Sequence, residues 1–176
     1  MAQPAIRRIA LLSVHTSPLA TLGGKKTGGM NVYIRDVGLE LGRRRVQVDI
    51  FTRSADPDQP RIVTLSEHVR VIHVPAGAPT FLSSDAIVEH LPAFIADVLR
   101  FAEQDSKSRD YDIIFSHYWL SGWVAHELRA QCRVPVVQMF HTLGRMKNRI
   151  AQQPGQAEAD NRIFTETDVI SWADRL

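Results

Sequence analysis

Along the chain, short apolar runs take turns with segments whose apolar residues recur every three or four positions. Residues 8–14 (RIALLSV) form a nearly continuous apolar run, the pattern of a strand covered on both faces. From 28 to 44, Met30, Tyr33, Ile34, Val37 and Leu41 fall at helical spacing with Arg35, Asp36, Glu40 and Arg43 between them, which predicts a one-faced helix. Residues 46–52 (VQVDIFT) and 69–74 (VRVIHV) are rich in β-branched side chains and read as strands, the second closed by Pro75 and Gly77. The polar stretch 54–66 holds Pro57 and Pro60 and reads as a loop or a weak edge hairpin. Helical spacing returns over 86–102 through Ile87, Leu91, Phe94, Ile95, Val98 and Phe101, with Pro92 an awkward residue for the first turn. Residues 112–116 (DIIFS) and 134–140 (VPVVQMF) predict two further strands around a helix over 120–131. A last helix is predicted over 158–173, with Ile163, Val169, Ile170 and Trp172 at apolar positions. Strand and helix in alternation imply parallel crossovers, so the expected fold is α/β: a doubly wound, mostly parallel sheet with helices on both faces. A helix ending in ADRL is expected to feed another strand, so the fold reads as one cut short.

Composition narrows the class. The chain has 176 residues, 44% of them hydrophobic, enough for one domain with a real core and too apolar for disorder. Its single cysteine, Cys132, excludes an internal disulfide, and no Cys/His cluster has zinc-ligand spacing, so no metal is expected. No run approaches the ~18 apolar residues of a membrane span. The start, MAQPAIRRIALLSV, superficially resembles a signal peptide, but no small-residue cleavage site follows, and it reads as the first strand of a cytoplasmic protein. A net charge of +2 gives no reason to expect a nucleic-acid partner.

Ligands of open α/β sheets bind beyond the carboxyl ends of the strands. Three segments fall at such ends, 15–31, 117–122 and 141–149, and each begins with a histidine: His15, His117 and His141. The first contains LGGKKTGGMN, in which Gly28, Gly29 and Asn31 precede a helix beside Lys25 and Lys26. Glycines let backbone N–H groups approach an anion or a sugar, and a helix start favours negative charge. The alternative is a Gly-rich surface loop. Neither the Walker spacing nor G-x-G-x-x-G fits, and no acidic residue closes VQVDIFT to hold a ribose, which argues against a nucleotide-binding reductase. In SHYWLSG, His117 and Tyr118 read as ligand contacts, whereas Trp119 and Trp123 read as packing of the sheet–helix boundary. In FHTLGRMKN, His141 and Thr142 stand at a strand end, followed by Arg145, Lys147 and Arg149, whose plain reading is a solvated helix face. Ser13 and Ser116 lack a nucleophile-elbow context.

Taken together, SVHTSPL, GGMNVYIRDVGLEL, VRVIHVPAG, SHYWLSGW, FHTLGRMKN and the closing E-x-x-x-x-x-x-ADR segment resemble the N-terminal, acceptor-binding domain of the retaining family 4 glycosyltransferases, which have the GT-B fold. Within that family the combination is nearest to the inositol-phosphate N-acetylglucosaminyltransferases of mycothiol biosynthesis, and next to sucrose-phosphate and sucrose synthases. The resemblance implies that residues 1–176 form a Rossmann-like acceptor lobe and that a donor-binding domain is absent from this chain. It implies transfer of a sugar from a nucleotide-diphosphate sugar to a hydroxyl acceptor, of the sugar- or polyol-phosphate kind among others, with retained configuration and no cofactor or catalytic metal. By position, His141 matches the histidine that contacts the donor sugar. Gly29 and Asn31 match the acceptor loop, and Tyr118, Thr142 and Arg162 match contacts to the acceptor phosphate. His15, Gly28, Lys25, Lys26, His117 and Lys147 are further candidate contacts. The nearest relatives carry a phosphate-binding lysine after the third strand, where PTFLSSDAIVEHLPAF offers Ser83, Ser84 or Asp85 instead. The chain alone is expected to be inactive and, with an uncovered apolar face, to self-associate. The other reading is a stand-alone sugar- or anion-binding or regulatory module without catalysis.

Overall fold

The structure is a computed structural model that describes residues 6–20, 28–105, 110–153 and 157–176. Its described elements run β1 (Arg8–Leu12), α1 (Gly29–Arg43), β2 (Gln47–Arg53), β3 (Ile62–Ser66), β4 (Val69–Val74), α2 (Ser84–Val88), α3 (Leu91–Gln104), β5 (Ile113–His117), α4 (Tyr118–Cys132), β6 (Val136–Met139), α5 (Gly144–Ile150) and α6 (Asp160–Trp172). The sheet has the order β3-β4-β2-β1-β5-β6, parallel throughout except that β3 pairs antiparallel with β4. The doubly wound α/β expectation holds.

Strand β1 shows why its sequence is apolar without alternation. Ile9 and Leu11 enter one core with Ile34 of α1, while Ala10 and Leu12 enter the other with Phe94, Val98 and Leu120 of α3 and α4. A strand buried on both faces has no solvent face to fill with polar residues. The neighbouring β2 is buried alike but carries polar residues inside, Asp49, Thr52 and Arg53. Asp49 accepts from Arg70 at 2.8 and 2.9 Å and from Tyr111 at 2.7 Å, so the buried carboxylate is paired.

Segment 54–66 takes one of its two expected forms, and two helices differ from the reading of the pattern. Segment 54–66 is not all loop: β3 forms the edge-hairpin alternative, closed onto β4 by Glu67 and His68. The helix expected over 86–102 is two helices, because α2 stops at Val88 and α3 restarts with Pro92 in its first turn, where a proline lacks only an N–H that would go unpaired anyway. In α1 the deepest line is Asn31, Ile34, Gly38 and Gly42, while Val37 lies outside the core cluster. Glycine permits this contact, since a Cβ on Gly42 would stand 2.5 Å from Val69 Cγ2.

After α6 the chain runs along the sheet edge. The helix stops at Trp172, before ADRL, and Arg175 bridges Val137 in parallel with its carbonyl accepting from Gln138 N at 3.0 Å, so ADRL itself lies beside β6. Among the described residues no helix is long and apolar enough to cross a membrane, and none of the His, Cys, Asp and Glu residues cluster as metal ligands.

Candidate functional site

The carboxyl ends of β1, β5 and β6 carry His15, His117 and His141, and the parallel order β1-β5-β6 places them side by side. His117 Nδ1 lies 3.0 Å from His141 Nε2, and His15 stacks on Tyr118 with ring centroids 4.3 Å apart. Tyr33 of α1 meets both His117 and His141 edge-on, at 5.8 and 5.3 Å. The three loops therefore converge on one rim.

The backbone at this rim is bent by force of its surroundings. His141 has φ +62° and is spanned by a hydrogen bond of 2.7 Å from Thr142 N to Phe140 O, a γ-turn. Tyr118, the first residue of α4, has φ +72°. Neither residue is glycine, so each position costs of order ~1–3 kcal/mol and persists only because neighbours hold it. Gln138 Nε2 donates to the Tyr118 carbonyl at 3.2 Å, and Arg162 of α6 fixes the side of the rim next to it. Its Nη1 donates to Tyr118 Oη at 3.0 Å, and its Nη2 donates to both the carbonyl and the Oγ1 of Thr142, each at 3.0 Å. Its Nε donates to Glu166 Oε1 at 2.7 Å, and Nη1 also meets Glu158 Oε2 at 2.9 Å. The guanidinium lies 4.7 Å from the Tyr118 ring centroid. With only 2% of its surface exposed, Arg162 is a buried cation whose N–H groups are all engaged, two carboxylates among its partners.

Glu166, also buried, accepts with its other oxygen from Gly144 N at 2.7 Å and so ties the start of α5 to the same cluster. Space at Gly144 is tight, because a Cβ would stand 3.2 Å from Ile163 Cγ1 and 3.3 Å from Glu166 Oε2.

A cavity of about 490 Å³ opens in front of this cluster, lined by His15, Tyr118, Lys147, Glu158 and Arg162 together with Ser83, Ser84 and Asp85. The serine–aspartate segment thus stands on the cavity wall, and Ser83 Oγ is occupied in capping α2 by accepting from Ala86 N. Trp119 is 3% exposed and belongs to the core, as its packing role requires. Lys147 lies on the solvated face expected of its run, 48% exposed, and pairs there with Glu158.

Several candidates sit differently from free ligand contacts. His117 is fully buried, so it reaches the site through His141 and not at its surface. Burial, and then the nearby His141, push its pKa down to about 3, and burial lowers that of His141 as well, so both imidazoles are neutral near pH 7. One proton must lie between the facing nitrogens. His117 Nε2 is buried with no partner among the described residues, and a bare acceptor is cheaper to bury than an N–H. That assigns the proton to His117 Nδ1 and leaves His141 as its Nδ1–H tautomer. Asn31 is 2% exposed, its Oδ1 accepts from Thr16 Oγ1 at 2.7 Å, and its Nδ2 has no partner among the described residues. Gly28 and Gly29 have nothing within 4 Å of a built Cβ, and they do not line the cavity. Lys25 and Lys26 lie outside the described residues.

Sequence reasoning missed Glu158 and the role of Glu166. The available signal was their placement four residues on either side of Arg162, the spacing at which helical side chains meet.

Comparison with known proteins agrees with this architecture. The chain is 42% identical over 172 residues to the D-inositol 3-phosphate glycosyltransferase of Kineococcus radiotolerans, covering 98% of this chain and 39% of that protein. It is 45% identical over 170 residues to the protein of the same name from Saccharomonospora viridis, covering 97% of this chain and 39% of that one. The sucrose-phosphate synthase of Thermosynechococcus elongatus superposes with a TM-score of 0.87 at 34% identity, over 96% of this chain and 41% of that one. The chain thus spans about two-fifths of the length of these relatives. Its fold matches the lobe of the synthase that it covers, and residues 28–176, which hold nearly the whole rim, match the glycosyl transferase 4-like domain, the family to which the chain belongs.

Proposed function

We propose that this chain is the acceptor-binding lobe of a retaining glycosyltransferase that moves a sugar from a nucleotide-diphosphate sugar to a hydroxyl of a phosphorylated acceptor. The observation that carries the reading is the Arg162 cluster: one buried guanidinium gathers Tyr118 and Thr142 beside His141, in front of an open cavity. An acceptor phosphate needs cationic donors and hydroxyls in fixed positions, and the cavity wall offers Lys147, Arg162 and the Tyr118 hydroxyl. The names of the relatives, D-inositol 3-phosphate glycosyltransferase, point to the same acceptor class.

In this reading Thr142 and Tyr118 orient the acceptor, and His141 faces the donor sugar. A neutral His141, held by His117, can donate one hydrogen bond to the sugar without adding a cation that would repel positive charge developing at the anomeric carbon. The leaving diphosphate takes the acceptor proton on the front face, so no protein base is required. Holding acceptor and donor in register supplies much of the rate. The donor would be held by a second lobe, and the enzyme is expected in the cytoplasm.

Calorimetric titration of the protein tests the lobe assignment. D-inositol 3-phosphate is expected to bind and a uridine-diphosphate sugar is not; the reverse preference would overturn it. In the polypeptide that carries both lobes, His141→Ala is expected to lower kcat by about 10²-fold. An unchanged kcat would remove His141 from the reaction.

A further inference from the structure

We infer that Glu158 occupies the anion seat of this site, and that an acceptor phosphate enters by exchange for the Glu158 carboxylate. The inference rests on the acceptor-lobe reading above and adds how the site admits and selects its ligand.

The seat is built from groups on three elements. Arg162 Nη1 comes from α6, Lys147 Nζ from α5 and the Tyr118 hydroxyl from the start of α4, and all three line the cavity. Glu158 joins two of them, meeting Arg162 Nη1 at 2.9 Å and Lys147 Nζ. With Glu158 in place, every N–H of Arg162 is taken. The charges of the cluster also cancel, Lys147 and Arg162 against Glu158 and Glu166, and Asp85 on the wall adds one more negative group. A dianion approaching this arrangement meets no net attraction. Once the Glu158 side chain leaves, Lys147 and one N–H of Arg162 are released together. The Tyr118 hydroxyl, which accepts from Arg162, still has its own proton to donate.

Glu158 is built to leave without disturbing the backbone. It precedes α6, and its main chain is clamped to Asn148: Glu158 N donates to Asn148 Oδ1 at 2.7 Å, and Asn148 Nδ2 donates to Glu158 O at 3.3 Å. Its side chain is 22% exposed, whereas those of Arg162 and Glu166 are 3% and 4% exposed. The cation and its buried carboxylate therefore stay put while the outer carboxylate rotates into water. Exchange selects for phosphate monoesters, because a ligand carrying a single carboxylate only replaces like with like.

The test compares the protein with Glu158→Gln and Glu158→Asp, which respectively remove the charge and shorten its reach. Binding of inorganic phosphate, D-inositol 3-phosphate, uncharged inositol and glucuronate is measured by calorimetry. Both variants are expected to bind the two phosphate compounds at least ~10-fold more tightly than the parent, Gln more than Asp, with inositol unchanged. In the parent protein glucuronate is expected to bind no better than inositol. Equal or weaker phosphate binding in both variants would overturn the exchange, since a Glu158 that only braces Arg162 predicts that result, and the acceptor-lobe reading would survive. Absence of phosphate binding in parent and variants alike would overturn the phosphorylated-acceptor reading and the exchange with it.

Discussion

Acidification offers a direct measure of how the histidine pair is built. His117 titrates near 6.5 in an unfolded chain, but burial, with His141 beside it, holds its folded value down to about 3. The unfolded state therefore takes up a proton that the folded state refuses. Stability from this group is complete above pH 6.5 and is lost as pH falls toward the folded value. Between pH 7 and pH 5 the expected loss is about 2 kcal/mol, and any folded pKa below ~4.5 gives nearly the same figure. Glu158 and Asp112, whose carboxyls are held low by their partners, contribute mainly at lower pH, so the interval reports on imidazoles. His117→Asn keeps a donor where Nδ1 stands, 3.0 Å from His141 Nε2, but has nothing to titrate. Urea unfolding at pH 7, 6 and 5 should show the parent losing about 2 kcal/mol more than the Asn variant over that range. Parallel pH profiles for the two proteins would refute the burial argument.

Arg162→Met should destabilise the protein by about 3–5 kcal/mol in urea unfolding, because it strands the buried Glu166 carboxylate; a loss below ~1 kcal/mol would mean that the cluster relaxes freely. Gly122→Ala should lower stability by about 1–3 kcal/mol in thermal melts, since its Cβ would stand 2.9 Å from Gln138 Oε1 and from Val169 Cγ2 where α4 meets α6. Gly29→Ala, with open space around it, should stay within ~0.5 kcal/mol of the parent, and equal losses at the two glycines would contradict the packing argument.

The elements that the pattern identified are those with one dominant physical cause. An apolar run such as 8–14 can be satisfied only by burial on both faces, and the strand at Arg8–Leu12 follows from that alone. The spacing of Phe94, Ile95, Val98 and Phe101 likewise admits only a helix with one buried side. The alternation of such segments dictates parallel crossovers, and with them a rim at which three histidine-led loops meet. Where two causes compete, the pattern left the outcome open. Helix α1 packs deepest through Gly38 and Gly42, which have no side chain to register as hydrophobic. The α2–α3 break arises from a proline whose cost depends on where the helix starts.

The candidate site divides in the same manner. Its residue types and their order along the chain, from His15 through Tyr118 and His141 to Arg162, are properties of the sequence, as is the anion-binding chemistry they permit. Their states are not. His117 is neutral because it is wholly enclosed, Arg162 is saturated because two carboxylates and a loop close around it, and Glu158 is poised because its main chain is fixed while its side chain is not. Burial, pairing and charge balance depend on what surrounds a group in three dimensions. Those surroundings come from different elements, His117 against His141 and Tyr33, and Arg162 against Tyr118 and Thr142, so only the folded chain could decide them.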